Sequence, residues 1–151
     1  MQMAIEVNIE DGTLFAQVGG RPIIQRVHKI FYDKIYAHPW LKQFFRNVKQ
    51  EFIENQSTDF MTSNMGGGRI YSGQLPTNAH KHLFITKELF DLRHNLLQES
   101  LCEVGMSPEH MERWLRIDRA FERSTVKLDP SLCQKRYFTD EIIIVPKSQH
   151  M

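Results

Sequence analysis

The sequence predicts an all-α fold, and three observations carry that prediction. Apolar residues recur at helical spacing through most of the chain. Glycine and proline gather into a few short clusters between those runs. Only Ile142 to Val145 is β-branched enough to read as a strand, and it lies in the last stretch of the chain. At 151 residues the chain has the size of one ordinary domain, large enough to bury roughly two-thirds of the surface its unfolded form exposes.

Each element follows from local signals. After Gly19-Gly20, Pro22 suits the first turn of a helix, where its missing N–H costs nothing. Ile23, Ile24, Val27, Phe31 and Ile35 then line one side, and His38-Pro39 ends the run. Residues 47 to 64 form a weaker helix, with Phe52, Gln56, Phe60 and Met61 on one side among many polar residues. Residues 69 to 80 are poor in helix signals and read as an irregular connector. Leu89, Leu92, Leu96, Leu97, Leu101 and Val104 restore the pattern over residues 86 to 104, and Gly105 caps it. Ser107, Pro108 and Glu109 supply an N-cap, a first-turn proline and an acid at the positive end of the helix dipole. The helix they open carries Met111, Trp114, Ile117 and Phe121 on one face and is expected to run to Asp129-Pro130. The tail, residues 131 to 151, is expected to fold back on the domain, with pairing to another chain through Ile142 to Val145 as the alternative.

Composition removes several function classes. Nineteen Lys and Arg nearly balance 18 Asp and Glu, so no excess positive field favours nucleic acid or an anionic membrane. No run reaches the roughly 18 apolar residues that span a bilayer, and the segment MQMAIEVNIEDG carries acids where a signal peptide carries a basic region. A cytoplasmic protein is the expectation. Cys102 and Cys133 stand apart, with no CxxC, haem-attachment or zinc spacing, and read as free thiols.

The histidines pose the chemical question. His80 follows the glycine-rich stretch MGGGRIYSGQLPTNAH, and His82 lies two residues on. On a helix the two rings point roughly 200° apart, so they do not chelate one ion there; on an extended segment they do. No cysteine or third histidine completes a zinc set, and Gly66-Gly67-Gly68 lacks the GK[ST] ending of a phosphate loop. A five-coordinate haem, by contrast, needs a single neutral imidazole and a pocket of aromatic and aliphatic side chains. Ten phenylalanines and four tyrosines allow such a pocket, or a plain aromatic core.

The order of motifs is more specific. TLFAQVGGRPIIQRVHKIFYDKIYAHPWLKQFF, residues 13 to 45, resembles the opening of the truncated (two-over-two) haemoglobins, with Gly19-Gly20, Phe31-Tyr32 and Phe44-Phe45 in the family's order. Gln56, Phe60-Met61, Gly66-Gly67, Tyr71-Ser72-Gly73 and His80 continue the register. The resemblance implies a two-over-two globin domain over residues 13–130, between an extension at 1–12 and a tail at 131–151. It implies haem b as cofactor, with His80 as the axial ligand of the iron and His82 as its rival. Tyr32 and Gln56 are implied as donors facing the bound gas, and Phe45 as the ring stacked on the haem. Phe52, Ile53, Tyr71, Phe84 and Phe90 are implied as further haem contacts, with Arg69 and Lys81 near the propionates. Arg93 and His94 interrupt the wall expected beside the haem and are read as facing away from it. The functions implied are binding of O₂, NO and CO, and oxygen-dependent NO detoxification supported by a reductase. A six-coordinate redox or sensor haem protein, or a haem-free helical interaction module, are the alternatives.

Overall fold

The computed structural model describes residues 12–148; apart from Gly12, the extension expected at 1–12 lies outside the described residues, as does the tail beyond Ser148. Seven α-helices occur among them, joined by turns and two short 3₁₀ segments.

Helix α1, Leu14–Val18, starts where the Thr13 hydroxyl accepts the Ala16 N–H at 3.1 Å. It ends on Gly19, whose φ of 110° lies in the left-handed region where a side chain would be strained. Gly20, at φ 75°, turns the chain into α2, Arg21–Ala37, with Pro22 in its first turn. The predicted stripe of α2 is buried at Ile24, Val27, Phe31 and Ile35, and two polar residues, His28 and Tyr32, are buried with it. A 3₁₀ turn, Leu41–Phe45, leads to α3, Gln50–Asn64. Helix α5, Lys87–Glu103, is capped by Thr86, which accepts the Leu89 N–H, and α6, Pro108–Arg119, by the expected Ser107, which accepts the His110 N–H.

Helix α2 packs on α3, α5 packs on α6, and contact between α2 and α5 joins the two pairs. The chain is thus two helix pairs laid one on the other, and Ile24, Ile35, Leu89, Phe90, Leu101 and Trp114 form the most deeply buried part of the core.

Three expectations are corrected. The stretch before His80 is not wholly irregular: Pro76–His80 forms a short helix, α4. The last long helix does not reach Asp129; α6 stops at Arg119, and a separate turn, α7, spans Glu122–Thr125. No glycine or proline marks that break. It turns Phe121 onto Phe60, with ring centroids 5.2 Å apart, and sets Val126 beside Ile85 in a parallel bridge, so tertiary packing overrides a continuous helical pattern. The stretch Ile142 to Val145 forms no strand among the described residues; it folds back as expected, through one parallel bridge between Ile143 and Leu83. The Phe84 N–H donates to the Ile143 carbonyl and the Ile143 N–H to the His82 carbonyl, both at 2.9 Å. The Trp40 indole N–H then donates to the Val145 carbonyl at 2.8 Å.

Candidate functional site

The helix pairs enclose a cavity of about 330 Å³, within the range of small-molecule sites. Its wall is mostly apolar, built by Phe31, Phe44, Phe45, Phe60, Leu83 and Phe90 among others.

His80 reaches this cavity from the last residue of α4. Its Nδ1 lies 2.7 Å from the Pro76 carbonyl oxygen. A carbonyl only accepts, so Nδ1 carries the proton and Nε2 keeps its lone pair. Burial pushes the His80 imidazole down to about 4, although the bond to Pro76 opposes that shift. The ring is neutral at physiological pH, and its Nε2 has no protein partner. His82 also lines the cavity, but its buried Nδ1 has no hydrogen-bond partner to fix a tautomer. The positional difference comes from α4: Pro76 fixes the first turn and leaves its carbonyl four residues before His80, where a helical ring nitrogen reaches back to it.

Tyr32 enters from α2, and Gln56 and Ser57 from α3. The Tyr32 hydroxyl and Ser57 Oγ are 2.7 Å apart. Burial raises the Tyr32 phenol, with the Ser57 bond acting the other way, so it stays protonated and able to donate. Its ring sits edge-on to Phe31 and Phe45, with centroids at 4.9 and 5.9 Å. Tyr36 supports Phe45 from behind, ring centroids 5.5 Å apart, and donates its hydroxyl to the Val48 carbonyl at 2.8 Å. One turn before Tyr32, His28 Nδ1 pairs with Thr58 Oγ1 at 2.8 Å, and burial pushes this imidazole down to about 3.

Of the residues anticipated for the site, Tyr32, Phe45, Phe52, Ile53, Gln56, Tyr71, His80 and Phe90 line the one cavity. Phe52 stands at its edge, 56 % exposed. Tyr71 packs edge-on to Phe60 at 5.0 Å and donates to the Gln74 carbonyl at 2.6 Å. Arg69, Lys81 and Phe84 do not line it. Arg69 is exposed, and the returning tail occupies the backbone of the other two: Gln134 N–H donates to the Lys81 carbonyl, and Phe84 N–H pairs with Ile143.

Arg93 does not face away, as the sequence had suggested. It lines the cavity, its Nη2 lies 2.5 Å from both carboxylate oxygens of Asp118, and His94 Nδ1 meets Asp118 Oδ2 at 2.7 Å. Burial alone would raise the Asp118 carboxyl, but the Arg93 charge and the bonds from His94 and Arg93 hold it down to about 2. Ser57, His28 and Asp118 also went unseen. The signal for His28 was present, since it falls in the buried stripe of α2 between Ile24 and Tyr32; Asp118 had none, because its partners lie 24 and 25 residues away on another helix.

Comparison with known proteins agrees with this architecture. The profile of the family described as bacterial-like globin matches residues 13–126. A group 1 truncated hemoglobin of Tetrahymena pyriformis is 32 % identical over 95 residues, covering 63 % of this chain and 78 % of the relative. The crystal structure of the Fe(III) form of truncated hemoglobin from Tetrahymena pyriformis superposes with a TM-score of 0.69 at 27 % identity, covering 76 % of this chain and 97 % of the other. The truncated oxygen-avid haemoglobin from Bacillus subtilis shares the fold with a TM-score of 0.70 at 21 % identity, covering 77 % and 100 %. A family match over most of the chain, on two packed helix pairs around one cavity, places this chain in the bacterial-like globin family, as a truncated two-over-two globin with that family's haem-binding and gas-ligating character.

Proposed function

We propose that the cavity takes up haem b through His80 Nε2, leaving the iron five-coordinate, and that O₂, NO and CO bind on its free face under Tyr32 and Gln56. The observation that carries this reading is the His80 imidazole, neutral, with its tautomer fixed by Pro76 and a lone pair left without a protein partner in an apolar cavity. A backbone carbonyl that accepts the other ring N–H orients a ligating histidine and raises its basicity. Among the described residues no three His, Cys, Asp or Glu side chains converge to hold a metal ion. No helix among them is long and apolar enough to cross a membrane.

Haem, when bound, would be held by His80 and would supply an iron able to bind a diatomic gas and draw it into redox chemistry, placing partial negative charge on bound O₂. Tyr32 holds a proton ready for that charge, and Ser57, 2.7 Å from the phenol oxygen, orients it. Gln56 offers an amide N–H from α3. Phe45 and Phe31 exclude water around these donors, which strengthens each bond. A donor set that holds O₂ tightly suits reaction more than delivery. We infer that the reaction is oxidation of NO by O₂ to nitrate, each turnover consuming one NO, one O₂ and one electron from a reductase.

The test is the absorption spectrum of the purified protein, ferric and then ferrous with CO. A high-spin spectrum lost in His80→Ala and kept in His82→Ala is expected. A low-spin spectrum without added ligand overturns the five-coordinate assignment, and retention of haem coordination in His80→Ala overturns the ligand.

A further inference from the structure

Two guanidiniums, those of Arg93 and Arg136, stand in the wall of this mostly apolar cavity; Arg136 is paired through Nε and Nη2 with Asp140 of the tail, and the one on α5 calls for a reason. Arg93 extends from α5 with its charge over two aromatic faces, 5.1 Å from the Phe90 centroid and 5.7 Å from that of Phe31. All of its side-chain hydrogen bonds run from Nη2, both to Asp118. His94 Nδ1 meets the same carboxylate at Oδ2. The guanidinium is therefore clamped in place, while Nε and Nη1 find no acceptor in the protein.

Arg93 and Tyr32 flank the same Phe31 ring, the phenol ring at 4.9 Å and the guanidinium at 5.7 Å. The Arg93 charge acts on Tyr32, favouring phenolate there, so it stands within electrostatic reach of the phenol. A planar cation with two unfilled donors, half-buried beside a neutral phenol, matches a small planar or linear anion. Asp118 neutralises the arginine, but it does so through Nη2 alone.

We propose that Arg93 is the anion-selecting residue of this cavity, its free Nε and Nη1 donors acting with Tyr32 to hold a small monoanion of the nitrite or azide class. The proposal rests on the haem reading above, since haem and anion share the cavity. Selectivity is its signature: azide and nitrite bring a full negative charge to the guanidinium, and CO does not.

The experiment titrates the ferric holoprotein with sodium azide and sodium nitrite, and the ferrous form with CO, following the Soret band. Arg93→Met combined with Asp118→Asn removes the cation without stranding its buried partner. The expected result is a rise in both anion dissociation constants on the order of ten- to a hundredfold, the loss of a charge-assisted hydrogen bond, with CO affinity within about threefold of the parent. Arg93→Lys keeps the ion pair and the fold but lacks the second set of donors; a loss of at least about threefold for azide is expected there. If both variants bind haem and show the parent's ratio of azide to CO affinity, Arg93 has only a structural role and the proposal is overturned. A parent protein that takes up no haem overturns the haem reading as well, which separates the two failures.

Discussion

Replacing Tyr32 with Phe tests the gas-facing donors most directly. The residue is only 8 % exposed, so a bond from its hydroxyl to a negatively charged outer atom forms in a dry pocket. Bonds of that charge-assisted kind contribute about 1.5–3 kcal/mol, and each 1.4 kcal/mol is tenfold, so O₂ should leave about ten to a hundred times faster. The structure narrows this range. Ser57 Oγ, 2.7 Å from the phenol oxygen, is released by the substitution and lines the same cavity. It takes over part of the donation, which places Tyr32→Phe near the lower end, about tenfold. Tyr32→Phe combined with Ser57→Ala removes the substitute and moves the effect towards the upper end. Stopped-flow displacement of O₂ by CO measures both rates. Off-rates within about twofold of the parent in single and double variants alike would refute the assignment of this pair to the bound gas.

Other consequences concern stability. His28 is neutral in the folded chain with its titration pushed down to about 3, while the unfolded chain protonates it below the ordinary value of 6.5. The folded state therefore has its full stability from this group above pH 6.5 and loses it as pH falls towards about 3, at about 1.4 kcal/mol per pH unit. Urea unfolding between pH 4 and 7 should show that slope reduced by about this amount in His28→Gln, and an identical slope would count against it. Trp40→Phe removes the indole bond to the Val145 carbonyl that fastens the tail, costing about 1 kcal/mol and lowering Tm by about 2–4 °C; a Tm unchanged by calorimetry would show that the tail is held elsewhere. In Gly67→Ala the new methyl would sit 2.5 Å from Phe15 Cδ1 and 2.7 Å from Thr62 Cγ2, and a loss of about 1–3 kcal/mol is expected in the same assay, where none would mean those side chains yield freely.

The core of the site was open to sequence reading because its residues sit on strongly patterned elements or beside marked turns. Phe31, Tyr32 and Ile35 share the stripe of one amphipathic helix, and Phe45 follows it across a short connection. Partners were not open to it. Ser57 matters because it lies 2.7 Å from a phenol 25 residues earlier in the chain, on the least patterned of the long helices. Arg93 was read as turned away because a charge in a hydrophobic wall is costly when alone. It is accommodated by Asp118 and by two aromatic faces, all supplied from other parts of the sequence. Arg69 and Lys81 were placed near the haem by their position in the motif order, yet neither lines the cavity, and the Lys81 carbonyl is already taken by the returning tail.

The sequence by itself determined the helical class, the order of the main helices, the Ser107 cap, the glycine turns and a pair of histidines at the end of a glycine-rich connector, because these depend on spacing within a few residues and on local backbone preference. Only the tertiary structure decided which of two neighbouring histidines has a fixed tautomer, where α6 breaks, how the tail is anchored and that an arginine faces the cavity. Those outcomes depend on groups brought together from distant segments, where burial and hydrogen-bond satisfaction outweigh local propensity.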